Sequence, residues 1–195
     1  IRAVTRLQLE TDLRFAIERS EFELYYQPII KIDTATLDGF EALVRWNHPQ
    51  RGLVPPNEFI PIAENTGLII PMTVQILYSA CSQIVEWQQR FDSAKPLTIA
   101  VNLSGKHFGH PALVEQITTV ISETGISPES LKLELTESAV MENAETAILM
   151  LKQIKETGVR ISIDDFGTGY SSLSYLHRFP IDLLKVDRSF VSAME

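Results

Sequence analysis

Three carboxylates, an amide and two cations recur in stretches where a folded chain normally places only hydrocarbon. In the run Gly39 to Trp46, strand-like alternation sets Glu41, Leu43 and Arg45 on one side and Ala42, Val44 and Trp46 on the other. The same period groups Asn102 with Ser104, and sets Lys132, Glu134 and Thr136 against an apolar face of Leu131, Leu133 and Leu135. Asp164, with Asp165 beside it, closes the run Val159 to Ile163, and Lys185 interrupts the apolar run Ile181 to Val186. Glu41, Asn102, Glu134 and Asp164 make a hard, oxygen-rich donor set suited to magnesium or manganese. Asp165 would let neighbouring carboxylates serve two ions, and paired ions activate water and stabilise the leaving oxygen in phosphoester cleavage. Lys185 suits orienting that water or neutralising developing charge. Arg45 suits a forked grip on a phosphate.

Each residue taken singly has a structural alternative. Glu41 with Arg45, or Glu134 with Lys132 or Lys185, would make an ordinary ion pair. Five successive strands each carrying such a group would meet the cost of burying polar atoms five times over, which favours one shared site. Other signals are weaker. Asp165-Phe166-Gly167 resembles a kinase tripeptide, but no kinase catalytic loop accompanies it. The Gly-rich run to Ser172 lacks the Gly-Lys pair of a P-loop. His48, His107, His110 and His177 have no acidic or cysteine partner spaced for zinc and are expected at the surface.

Alternating elements would position these groups. Thr5 to Arg19 has the spacing of an amphipathic helix, Phe22 to Ile30 and Leu37 to Trp46 of strands, and Asn47 to Pro56 of a loop. A long helix is expected from Pro71 to Gln89. Strands at Leu97 to Leu103, Leu131 to Leu135, Val159 to Ile163 and Ile181 to Val186 then alternate with helical patterns. These are centred on Leu113 to Ile121 and Ile148 to Ile154, with a short one at Ser171 to His177. Such alternation predicts an α/β fold with a parallel sheet, and ligands bind beyond the carboxyl ends of its strands. Periodicity alone leaves an open doubly wound sheet and a closed (β/α)₈ barrel both available.

Composition narrows the function classes. With 195 residues, 45% hydrophobic, the chain can bury a core and is not disordered. A net charge of −8 opposes a long footprint on a nucleic-acid polymer, though not a small anion held by metal ions. One cysteine, Cys81, excludes an internal disulfide and thiolate zinc clusters, which makes a cytoplasmic setting the default. No apolar stretch approaches the roughly 20 residues of a membrane span, although the chain could still belong to a membrane-anchored protein.

Seven segments, in order, resemble the EAL domain family. They are Tyr26-Gln27-Pro28-Ile29, Gly39-Phe40-Glu41-Ala42-Leu43-Val44-Arg45-Trp46, Phe59-Ile60-Pro61-Ile62-Ala63-Glu64, Val101-Asn102-Leu103-Ser104, Leu133-Glu134-Leu135-Thr136-Glu137, Asp164-Asp165-Phe166-Gly167-Thr168-Gly169 and Ile181-Asp182-Leu183-Leu184-Lys185-Val186-Asp187. The resemblance implies a TIM-like (β/α)₈ barrel with an antiparallel first strand. It also implies a phosphodiesterase that opens cyclic di-GMP to linear pGpG with two magnesium or manganese ions.

By position, the resemblance makes Glu41, Asn102, Glu134, Asp164 and Asp165 metal ligands. Lys185, Asp165 and Glu41 would be catalytic, Lys185 lying near the attacking water. Gln27, Leu43 and Arg45 would contact the dinucleotide, and Glu137 would anchor the loop Asp165 to Ser172. That loop is one the family uses in dimerisation, so a homodimer is expected. Residues 1–20 are expected to be a linker helix leading in from an upstream sensor or GGDEF-type cyclase domain, and residues 21–195 the EAL domain.

The family continues into a strand with an Ala-Glu-Gly-Val-Glu-like motif and a final strand, which no segment here matches. The expectation is therefore a barrel lacking about its last two β/α units. That departure keeps a second function in view, a catalytically silent receptor for cyclic di-GMP or an interaction module.

Overall fold

Leu9, Leu13 and Ala16 recur at helical spacing and share one buried stripe, which seats the first helix, α1 (Arg2–Arg19), on the body of the protein. The structure is a computed structural model that describes residues 2–91, 95–167 and 173–192. The chain continues through β1 (Phe22–Lys31), β2 (Thr36–His48), β3 (Gly52–Val54), α2 (Pro56–Thr66) and α3 (Ile69–Arg90). It then alternates through β4 (Thr98–Asn102), α4 (Gly105–Phe108), α5 (Leu113–Thr124), β5 (Leu131–Thr136), α6 (Glu137–Met141), α7 (Ala144–Glu156) and β6 (Arg160–Phe166). The last elements are α8 (Leu173–Leu176), β7 (Leu183–Val186) and α9 (Arg188–Ser192).

The sheet runs β1-β2-β4-β5-β6-β7, with β3 paired to the end of β2. β1 is antiparallel to β2, and every later pair along the path is parallel. Among the described residues β1 and β7 each have one paired neighbour, so the pairing path is open. It is nevertheless strongly curled. Lys185 on β7 reaches Glu41 on β2 at 3.1 Å. A flat sheet would hold those two strands roughly 19 Å apart, beyond the combined reach of a lysine and a glutamate.

Four local features depart from the sequence-based expectations. The segment Asn47 to Pro56 is not all loop, since β2 runs on to His48 and β3 folds back on it. Helix α2 is not legible from the pattern, because Pro55, Pro56 and Pro61 read as breakers. Pro56 occupies the helix start, where no N–H is needed, and Pro61 lies on the exposed side, where water can satisfy the carbonyl that loses its partner. Helix α3 begins at Ile69, two residues before the expected Pro71.

The fourth correction concerns the histidines. His48 and His107 are buried, at 5% and 0% exposure. His48 ties the turn after β2 to α1, accepting at Nδ1 from the amides of Gln50 and Arg51 while Nε2 meets Asp12 at 3.1 Å. His107 pairs with Gln116 at 2.7 Å, and burial lowers its pKa. Two backbone amides and Asp12 satisfy His48, whereas His107 has Gln116 on Nε2 and no partner on Nδ1 among the described residues, and periodicity reveals neither arrangement. Cys81 is also buried, and burial pushes its thiol up to about 12. No helix among the described residues is long and apolar enough to cross a membrane.

Candidate functional site

Strand alternation and sheet curl together decide which side chains meet. Asn102, Glu134 and Asp164 lie at or near the carboxyl ends of β4, β5 and β6, and Glu41 lies mid-strand in β2, near the end of the stretch that pairs in parallel with β4. The parallel register pairs Glu41 with Ala100, Asn102 with Glu134 and Thr136 with Asp164, so the acids step by two residues from strand to strand and keep to one face. Lys185 enters from β7 and donates to all three carboxylates, at 2.7 Å to Glu134 and 3.1 Å to both Glu41 and Asp164. The remaining oxygens are steadied from outside. Asn102 Nδ2 donates to Glu41 Oε1 at 2.9 Å, and the Asp165 amide donates to Asp164 Oδ1 at 2.9 Å.

Two β-bulges re-aim acidic groups that simple alternation would misplace. Ile29 faces Gly39 while Ile30 faces Leu37, so Asp38 is the extra residue on β2. It meets Lys31 at 2.9 Å and the buried Lys132 at 3.6 Å. Lys132 is thereby engaged with Asp38, leaving Lys185 as the partner of Glu134. On β6 the register against β7 slips between Ile163 and Phe166, and Asp165 takes the left-handed conformation with φ 54°. Neighbouring residues on a regular strand point to opposite faces, and this break frees Asp165 from that rule.

The electrostatics follow from crowding. Burial pushes the Glu134 carboxyl above its usual range, and the hydrogen bond and charge of Lys185 only partly offset it, with Glu41 and Asp164 adding repulsion. For Lys185 burial opposes the charge, but Glu134, Glu41 and Asp164 outweigh it and hold the ammonium protonated. Asp165 is also raised, by burial first and then by the charges of Asp164 and Asp187.

The folded state thus carries an ionised Glu134 at a cost. An acid whose folded pKa is raised binds its proton more readily folded than unfolded, so falling pH relieves that cost. In chelator at neutral pH, Glu134→Gln should melt at a higher temperature than wild type. The gap should narrow as pH falls through the carboxylate range and wild-type Glu134 becomes neutral. Thermal denaturation at both pH values checks this, and a lower melting point for Glu134→Gln at neutral pH would contradict it.

The other expected site residues lie around this centre. Gln27 is the cross-strand partner of Glu41, and Leu43 the partner of Tyr25. Arg45 donates to the Val44 carbonyl at 2.8 Å and lies 5.2 Å from the Tyr25 ring centroid. Glu137, 4% exposed, accepts from the Gly167 amide at 2.9 Å. The rest of the expected loop, residues 168–172, lies outside the described residues.

A cavity of about 300 Å³ adjoins the acids, lined by Leu43, Arg45, Glu64, Asn102, Ser104 and Glu134 among others. Glu64, Ser104 and Thr136 on this wall, and Asp187 near Asp165, were not singled out from the sequence as site residues. Alternation had grouped Ser104 with Asn102 and Thr136 with Glu134, while for Glu64 and Asp187 the signal was membership of the ordered motifs. A larger cavity of about 680 Å³ lies at the opposite, amino ends of the parallel strands, around Phe40, Trp87 and Leu97. It lacks the convergent acids, so volume does not locate the chemistry.

Three carboxylates gathered on one cationic group, with the Asn102 amide beside Glu41, form a donor set whose charge and hardness fit a divalent ion. The spacing is that of an ammonium ion. Among the described residues no trio of histidine, cysteine or acidic side chains is drawn together tightly enough to close on a metal.

Comparison with known proteins gives a consistent family. A family model described as EAL domain matches residues 10–195. The bifunctional diguanylate cyclase/cyclic di-GMP phosphodiesterase MucR of Pseudomonas aeruginosa is 44% identical over 98% of this chain and 28% of that protein. An uncharacterised protein of Synechocystis is 46% identical over 95% of this chain and 26% of its own length. The chain thus spans between 22% and 28% of the first curated relatives it matches. Among solved structures, the PaMucR phosphodiesterase in complex with c-di-GMP superposes with a TM-score of 0.90 at 44% identity, covering 96% of this chain and 75% of that one. The EAL enzyme Bd1971 bound to cAMP and cyclic di-GMP gives 0.86 at 38% identity, covering 100% of this chain and 53% of that one.

Proposed function

The chain belongs to the EAL domain family, and from that premise we propose that it is a cyclic di-GMP phosphodiesterase domain releasing linear pGpG. The observation that carries the reading is the convergence of Glu41, Glu134 and Asp164 on one cation at one face of the parallel sheet, beside a cavity holding Arg45. In this reading Glu41, Asn102, Glu134, Asp164 and Asp165 hold two magnesium or manganese ions. When bound, such a pair polarises the phosphoester and eases ionisation of the attacking water.

The chain's own residues do the rest. Arg45, propped on Tyr25, forks onto a phosphate, and Gln27 and Leu43 line the dinucleotide. Lys185 supplies a positive charge at the edge of the site, against the oxygen on which charge develops. Water adds to phosphorus as the bond to the 3′ oxygen breaks, leaving a 5′ phosphate on one end and a 3′ hydroxyl on the other. Glu137 holds Gly167, and with it the start of the loop after β6.

A TIM-like barrel arrangement belongs to the same reading, supported by the curl that brings β7 to β2 although the pairing path among the described residues is open. So do a cytoplasmic location, pairing with a second copy and an upstream sensor or GGDEF-type domain, the last supported by the double activity in the name of MucR.

One observation favours a second reading. The acids are closed on Lys185 at ammonium spacing, which suits a silent receptor that binds the dinucleotide without cleaving it. Incubating the chain with cyclic di-GMP and Mg²⁺ or Mn²⁺ separates the two by chromatography. Expected is pGpG that disappears with chelator. Binding without product would move the assignment to the receptor, and neither binding nor product would overturn both.

A further inference from the structure

A lysine ammonium has three N–H donors, and Lys185 gives one to each of three carboxylates, at 2.7, 3.1 and 3.1 Å. Those three acids come from strands far apart in sequence, and Glu134 among them is 2% exposed. Without a cation between them, three anions this close would repel one another, and the buried one would carry a heavy desolvation cost. Lys185 therefore does the assembling that a metal ion would otherwise do. The outer contacts agree, since Asn102 and the Asp165 amide steady the far oxygens of Glu41 and Asp164 while the near ones face Nζ.

The cage is nevertheless the wrong size for a divalent ion. Magnesium and manganese hold oxygen at about 2.1 Å, so the acids must contract around one. Two cations cannot share that centre, because at contact distances their repulsion is strong in a partly buried site. Lys185 has a way out: its side chain is 35% exposed, against 2% for Glu134 and 17% for Glu41. Its ammonium can swing towards solvent without crossing the core.

We propose that Lys185 is an internal counter-cation that holds the acid cage together in the ion-free protein and competes with a divalent ion for it. Loading and displacement of Lys185 are then one event, which sets how much free ion the site needs and delivers the ammonium to the edge of the site only when the ion is in. The proposal rests on the metal-site reading above.

The test is calorimetric titration with Mn²⁺ of wild type and of Lys185→Met, which keeps the hydrocarbon stem and removes the charge. The expected result is at least tenfold tighter Mn²⁺ binding by Lys185→Met. In chelator the variant should melt below wild type, and added Mn²⁺ should raise its melting point by more. Equal or weaker binding by the variant, with wild type binding normally, overturns the proposal and leaves the metal site standing. No binding by either protein overturns the metal site and the proposal together.

A measurement read on wild type, with the charge-retaining Lys185→Arg used for assignment, guards against a Lys185→Met variant that fails to fold. The ¹⁵N signal of the Lys185 ammonium, identified by its loss in Lys185→Arg, should be visible in the ion-free protein because salt-bridged protons exchange slowly. It should shift or vanish in step with Mg²⁺ occupancy. A signal unchanged at saturating Mg²⁺ overturns the proposal.

Discussion

Asp164→Asn should abolish turnover of cyclic di-GMP, lowering kcat by on the order of 10²–10³-fold or more, while dinucleotide binding survives. The substitution changes charge with almost no change of shape. The asparagine oxygen can still accept from the Asp165 amide, so the β6 bulge is preserved. What disappears is one of three negative charges facing Nζ of Lys185, and with it a hard donor for a divalent ion. Arg45 and the cavity wall around Leu43 are untouched, which is why binding should outlast catalysis. Chromatographic assay of pGpG at saturating Mn²⁺, with calorimetry for the dinucleotide, separates the two effects. If Asp164→Asn retained activity within tenfold of wild type, Asp164 would not be a ligand and the acid cage would not be the catalytic centre.

The largest effect on stability is expected at Gly39. A Cβ built there would lie 2.1 Å from the Thr98 carbonyl oxygen, 2.4 Å from Thr98 Oγ1 and 2.7 Å from the Thr98 carbonyl carbon. Two of those atoms are backbone, and they belong to the strand paired with β2 at that position. A side chain can rotate away, but a paired strand cannot move without breaking its ladder. Thr98 also donates to the Asp38 carbonyl, which adds a further restraint at the same junction. Gly39→Ala should therefore cost about 3 kcal/mol or more. For a domain of this size that is a fall in Tm on the order of 10 °C. Scanning calorimetry checks it, and a Tm within about 2 °C of wild type would show that β2 and β4 can separate cheaply there. Glu41 lies two residues along the same strand, so the fraction still folded should also lose metal-site geometry.

Much of this is legible in the residue pattern. Alternation in Gly39 to Trp46 and in Leu131 to Thr136 already separated Glu41 and Glu134 from their apolar neighbours, because a strand's side chains must change faces at every residue. The helical stripe Leu113, Ile117 and Val120 marked α5, and all three are buried. Helix α2 stayed hidden because local propensity counts prolines as breakers, whereas their cost depends on which N–H and which face they occupy. The burial of His107 stayed hidden too, because its partner Gln116 lies on the next helix and leaves no periodic trace.

The sequence by itself determined which polar groups interrupt the apolar strands, among them Glu41, Glu134, Asp164 and Lys185, and the strand on which each of these four sits. It also determined family membership, through ordered motifs from Tyr26 to Asp187. Only the tertiary structure decided which of these groups touch. Glu41 and Lys185 are 144 residues apart in the chain and meet because the sheet curls through every strand between them. Asp38 turns to Lys132, and Asp165 escapes strand alternation, because single-residue bulges shift the register there. Periodicity is a property of one segment, while curl and register are sums over all the pairings of a sheet, and those sums exist only once the strands are side by side.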